Sequence, residues 1–112
     1  MVGKPTRFYS KKQEQRVAKT VEGKRQSNSG ATPFQKGDVV SDLFLIECKT
    51  KTTPSNSITV KREWIDKNKE EAFAMNKPYS AVAISFGDDE NYFIIDKKLF
   101  QRLLEYLKED EE

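Results

Sequence analysis

Two periods organise the apolar residues of this chain. Over residues 43–49 (LFLIECK) the alternation is by twos. Leu43, Leu45, Glu47 and Lys49 belong to one face of a strand, and Phe44, Ile46, Cys48 and Thr50 to the other. Asp38-Val-Val, followed by Ser41-Asp42, predicts a hairpin leading into that strand. If Ser41-Asp42 is a two-residue turn, Asp38 lies opposite Leu45, diagonal to Glu47 and on its face. Residues 51–57 are polar with Pro54 and predict a turn, Ile58-Thr-Val60 a short strand. Residues 79–86 (YSAVAISF) predict a buried strand, residues 87–91 a turn, and residues 92–95 one more strand.

Helical spacing appears three times. Ser10-Lys-Lys-Gln13 has the form of a capping box, and the helix behind it is expected to run to Glu22 and stop at Gly23, with Val17, Ala18 and Val21 as its stripe. Glu14 shares the face of Val17 and Ala18, an unexpected place for a carboxylate. A second helix is predicted over residues 62–75, with Trp64, Ile65, Ala72 and Phe73 apolar, ending before Pro78. Asp96 caps a third, which places Leu99, Phe100, Leu103, Leu104 and Leu107 on its core side. Between the first helix and the hairpin, residues 23–37 (GKRQSNSGATPFQKG) lack a period and read as a loop. The order helix, strand, strand, strand, helix, strand, strand, helix implies a mixed α/β fold.

Composition narrows the chemistry. With 112 residues the chain is one domain's worth, residues 1–9 forming a basic arm and residues 109–112 an acidic, fraying tail. No run approaches the roughly 18 apolar residues of a membrane span, and none near the N-terminus resembles a secretory signal. A cytoplasmic protein is the expectation. The single cysteine, Cys48, has no intrachain disulfide partner, and with no histidine there is no Ser-His-Asp or Cys-His catalysis. Any enzyme built from this chain works with carboxylates, lysines and a hard metal ion.

The net charge of +2 conceals a polarity. Residues 1–36 carry nine basic against two acidic residues, a net +7, and residues 87–112 carry four against nine, a net −5. A polyanion partner for the basic third follows as an expectation. The loop adds Arg25, Ser27, Ser29, Gly30 and Lys36, donors suited to phosphate oxygens.

Asp38, Glu47 and Lys49 are the candidate reactive group. Two carboxylates converging on one sheet face make a hard-oxygen site for Mg²⁺, to which the Cys48 peptide carbonyl is a candidate further ligand. Lys49, two residues from Glu47, points the same way and is placed to orient an attacking water or offset charge on a phosphate. Glu14, brought over the sheet by the first helix, would complete the metal shell directly or through water. Metal, activated water and cation are the parts that phosphodiester hydrolysis needs.

Glu14, Gly37-Asp38 and Glu47-Cys48-Lys49 resemble the ordered motifs of the PD-(D/E)XK nuclease superfamily, and most closely those of small phage-encoded and archaeal-type Holliday junction resolvases. The proline that names the superfamily is replaced by Gly37. The resemblance implies a restriction-endonuclease-like αβββαβ core, here with an additional strand and a C-terminal helix. It implies dependence on Mg²⁺, with Mn²⁺ as a substitute, and metal ligation by Asp38 and Glu47 supported by Glu14. Lys49 would stabilise the transition state and Ser29 would contact a phosphate near the cut. Arg25, Lys36, Lys51 and the first helix's Lys11, Lys12 and Arg16 would hold the DNA backbone. A homodimer cutting four-way junctions in a prokaryotic or phage-infected cell is the expected setting. A nicking or recombination nuclease of the same chemistry, or a non-catalytic nucleic-acid-binding module on the same fold, are the alternatives.

Overall fold

The computed structural model describes residues 6–26 and 38–111. Their elements are α1 (Thr6–Val21), β1 (Lys24–Arg25), β2 (Val39–Val40), β3 (Phe44–Thr50), α2 (Arg62–Ala74), β4 (Tyr79–Ser85), β5 (Tyr92–Ile94) and α3 (Lys97–Asp110). The strands form one sheet in chain order, β3 and β4 parallel and every other pair antiparallel. A parallel pair requires a crossover connection, and α2 provides it. Mixed α/β architecture is therefore as the pattern implied.

Helices cover the two faces of the sheet. On one, Val17 and Ala18 of α1 pack with Val39, Ile46, Cys48, Ala81 and Ala83. The alternate residues Leu45 and Val82 point to the other face, where α2 buries Asn68 and Ala72. Asn68 donates its amide to the carbonyls of Leu45 (3.1 Å) and Ala81 (3.0 Å), tying the helix to both central strands. The helix α2 closes in a left-handed residue, Asn76 (φ 58°), with the Lys77 N–H reaching back to the Ala72 carbonyl at 2.8 Å.

Several expectations are corrected. The first helix begins at Thr6, so Ser10 lies inside it and caps nothing, while Gln13 turns inward and is fully buried. Its end does fall where expected: Glu22 takes a left-handed φ of 54°, and the Gly23 N–H bonds the Ala18 carbonyl at 2.8 Å. Gly23 is required there because a Cβ would collide with the Val40 carbonyl oxygen. Within the expected loop, Lys24-Arg25 pairs with Val40-Val39 as β1. Both side chains are exposed, so no apolar period marks the strand.

The hairpin turns one residue later than expected. The register is Val39↔Ile46 and Val40↔Leu45, and the Ser41 N–H donates to the Phe44 carbonyl at 2.9 Å, leaving Asp42-Leu43 at the tip. Sliding a turn by one residue shifts its partners by two, so side-chain parity survives. Leu43 is consequently exposed instead of lying in the strand.

The segment Ile58-Thr-Val60 forms no strand. Among the described residues, the long strands β3 and β4 are each flanked on both sides, and the sheet's edges are β1 and β5. The total of strands matches the expected order only because one was missed and another over-assigned. Phe73 is 85% exposed, and α3 buries Leu99 alone of its expected core residues. The helix α3 extends to Asp110, into the residues read as the acidic tail. Ser29, Lys36, Gly37 and most of the N-terminal arm lie outside the described residues.

Candidate active site

The site begins where β3 leaves the apolar core. Leu45 and Ile46 are buried, and the next residues are Glu47, Cys48 and Lys49. Glu47 and Lys49 share a face of the strand, and Lys49 Nζ lies 3.6 Å from Glu47 Oε1. On the same side, the first turn of α2 carries Trp64, whose ring centroid is 5.0 Å from Lys49 Nζ. The ammonium is thus held between a carboxylate and an aromatic face.

Asp38 joins this pair from the start of the hairpin. Its N–H donates to the Ile46 carbonyl at 2.9 Å, and its Oδ2 accepts the Cys48 N–H at 2.7 Å. The Asp38 and Glu47 carboxyls come within hydrogen-bonding reach of one another. Two carboxyls at this distance share a proton in preference to both ionising. Burial, and then the charge of Asp38, raise the Glu47 pKa from 4.5 to about 7, with Lys49 working in the opposite direction. Burial also raises Asp38, against the pull of the Cys48 N–H and Lys49.

Glu14 approaches from α1. Its pKa is raised by burial and then by Asp38, and lowered by Arg25, whose Nε is 3.1 Å from Glu14 Oε1. The three expected carboxylates therefore belong to one electrostatic cluster, with Lys49 and Arg25 as its cations. Arg25, expected on a phosphate, spends its Nε on Glu14, although the side chain stays partly open to solvent. Cys48 meets the cluster through its N–H. Its thiol is pushed far above the ordinary range by burial and three neighbouring carboxylates, so it is no nucleophile.

A carboxamide holds the base of the site. Gln13 donates Nε2 to the carbonyls of Lys49 (2.9 Å) and Ala83 (3.2 Å) and to Asn91 Oδ1 (3.1 Å), while its Oε1 is buried without a partner among the described residues. It pins the backbone of the candidate lysine to β4 and to the turn before β5. Neither this role nor that of Trp64 was legible in the sequence. A buried glutamine beside Glu14 reads as an ordinary polar helix residue, and Trp64 reads as core.

The expected DNA contacts divide. Lys11 and Lys12 are exposed on α1 and Lys51 follows β3. With Lys19, which was not anticipated, Lys12 and Lys51 border a groove of about 630 Å³ between α1 and the end of β3. Arg16 lines it too, but is drawn to the turn after β4, 3.6 Å from Asp89 and 3.5 Å from the Asp88 carbonyl. Asp88 and Asp89 border the same groove, so its field is mixed.

Among the described residues, no group of three or more His, Cys, Asp or Glu side chains is arranged to hold a metal ion. Nor is any described helix long and apolar enough to cross a membrane. No protein-family model matches the chain, and no curated protein or solved structure is significantly similar to it.

Proposed function

We propose that this chain is a metal-dependent DNA endonuclease that hydrolyses phosphodiesters at branch points, with four-way junctions as its substrate. The observation that carries the reading is the meeting of Asp38 and Glu47, both of raised proton affinity, beside the oriented ammonium of Lys49. Isolated surface ion pairs do not raise two carboxylates together. Crowded, half-buried carboxyls suit a hard divalent cation, which takes the place of the protons they otherwise hold.

The donor set fits Mg²⁺. That ion is commonly held by one or two carboxylates and keeps several waters, so Asp38 and Glu47 suffice as side-chain ligands. The Cys48 carbonyl would add a ligand, and Glu14 would act directly or through water. When bound, such an ion lowers the proton affinity of a coordinated water and polarises the phosphate. The chain's own groups do the rest. Lys49 offsets the charge that builds on the phosphate as a water oxygen bonds to phosphorus and one bridging P–O bond breaks. Trp64 and Glu47 fix the ammonium, and Gln13 fixes its backbone. Lys11, Lys12, Lys19 and Lys51 meet the DNA backbone as point charges, which suits recognition of shape over sequence.

The test compares four-way junction, nicked, flap and linear duplex DNA with Mg²⁺, mapping cuts on both strands, with and without chelator. Paired, symmetric cuts confined to the junction and lost with chelator are expected. Metal-free cleavage would overturn the mechanism, and equal cutting of linear duplex would overturn the substrate.

A further inference from the structure

Among the described residues, the apolar stripe of α3 has no counterpart. Phe100, Leu103, Leu104 and Leu107 recur at the spacing of one helical face, yet they are 54%, 45%, 40% and 56% exposed. Among the described residues, only the first turns of the helix are anchored. Asp96 Oδ1 caps the Leu99 N–H at 2.9 Å, Lys69 Nζ lies 3.0 Å from Asp96 Oδ2, and the Arg102 guanidinium is 5.6 Å from the Tyr79 ring centroid. Beyond Leu99 every residue of α3 is exposed. A 14-residue helix in water is marginal on its own, and a stripe this apolar on a monomer's surface is a mark of association.

Charge along the helix indicates what covers it. Lys97, Lys98 and Arg102 occupy its first half, while Glu105, Glu109, Asp110 and Glu111 dominate its second, with Lys108 the exception. This runs against the macrodipole, which favours acidic residues at the start and basic ones at the end. An antiparallel copy of the same helix offsets both ends at once.

We infer that two copies of this chain pair through α3, antiparallel about a two-fold axis between Leu103 and Leu104. In that register Leu103 lies level with the partner subunit's Leu104, and Phe100 with the partner subunit's Leu107. Lys97, Lys98 and Arg102 then stand level with Asp110, Glu109 and Glu105 of the partner subunit. A parallel pair would set basic on basic and acidic on acidic. At the root of the helix, Phe73, Tyr79 and Leu99 border a groove of about 390 Å³ that extends the apolar surface. A membrane surface suits this helix poorly, because such helices carry a mainly basic polar face, whereas Glu105, Glu109 and Asp110 offset the basic residues of α3. The pairing stands on α3 alone and does not depend on the nuclease chemistry.

Sedimentation equilibrium of the full chain without DNA reads the outcome apart from any cleavage. The native chain is expected to be a dimer at micromolar concentration. Leu103→Glu with Leu107→Glu, both at exposed positions, should weaken it at least 100-fold while circular dichroism shows the sheet intact. Lys97→Glu with Lys98→Glu should weaken dimerisation, and adding Glu109→Lys with Asp110→Lys should restore it. For orientation, Phe100→Cys and Leu107→Cys variants are mixed and oxidised; Cys48 is buried and stays silent. A mixed cross-link without Phe100→Cys self-linkage is expected. A native monomer throughout, a dimer indifferent to Leu103→Glu with Leu107→Glu, or dominant Phe100→Cys self-linkage would each overturn the proposal.

Discussion

The carboxylate cluster at the end of β3 and the apolar stripe of α3 are concentrated in opposite ways. The first gathers Glu14, Asp38 and Glu47 around two cations, in surroundings buried enough to raise all three pKa values. The second spreads four large apolar side chains over a helix that, among the described residues, is anchored at its root. Like charges crowded under partial burial bind cations, by the same electrostatics that raises their affinity for protons. Apolar surface held in water favours another apolar surface. Both regions are costly for an isolated chain, and each cost favours a different kind of partner.

The largest expected effect lies in the cluster. Lys49→Ala should lower the cleavage rate by about 10²–10³-fold while leaving junction affinity nearly unchanged, as measured by single-turnover cleavage and gel shift. Unchanged cleavage would remove Lys49 from the site and reduce the cluster to a structural ion pair.

Next come the two buried carboxamides, which sharpen the contrast between site and scaffold. Gln13 and Asn68 each donate to carbonyls of both β3 and β4, from opposite faces of the sheet. Removing either forfeits its buried hydrogen bonds to both strands, so Gln13→Ala and Asn68→Ala should each cost about 1–3 kcal/mol in urea unfolding. Only Gln13→Ala should also lower kcat, because only Gln13 holds the Lys49 backbone. Equal losses of activity would show that both act through stability.

The metal-free protein should lose stability as pH rises. Glu47 has a folded pKa of about 7 against an ordinary 4.5, so between those values the folded state binds more protons than the unfolded state. Its stabilising contribution is complete below 4.5 and lost as pH rises through 7. Thermal melts from pH 4.5 to 8 should show this decline, Glu47→Gln should flatten it, and Mg²⁺ at the upper end should reverse it. A melt that improves with pH, or that ignores Mg²⁺, would separate the cluster from cation binding.

The smallest effect concerns Trp64. Trp64→Leu removes a cation–π contact worth roughly 0.5–2 kcal/mol, so cleavage should fall by a few-fold and Trp64→Phe should restore part of it. A cut as deep as that of Lys49→Ala would give Trp64 a direct role with DNA.

Much of the fold was legible because the relevant signals are local. Residues 62–75 were expected as a helix and α2 spans Arg62–Ala74, since Pro78 and the polar run before it limit how far a helix extends. Asp96 was expected as a cap, and its carboxylate accepts the Leu99 N–H. Asp38 was placed on the face of Glu47 by parity, and parity survived a turn that moved by one residue. The cluster was legible for the same reason: alternation on β3 and helical spacing on α1 limit where those side chains point.

What was missed depended on neighbours distant in sequence. The strand β1 is two exposed polar residues whose only reason to be extended is the edge of β2. Ile58-Thr-Val60 has the composition of a strand, but it pairs with neither edge of the described sheet, β1 or β5. Gln13 is buried against the carbonyls of Lys49 and Ala83, partners 36 and 70 residues away that its own helix does not record.

The sequence by itself determined which residues alternate, which share a helical face, and that chemistry without histidine rests on carboxylates and lysines. Such properties depend on backbone periods and side-chain identity alone. Tertiary structure decided what each face meets: Trp64 against Lys49, Gln13 beneath it, Arg25 on Glu14, and solvent along α3. Hydrophobic spacing records that a surface favours burial, because water penalises it wherever it lies. It does not name the covering surface, and for α3 none of the described fold provides one.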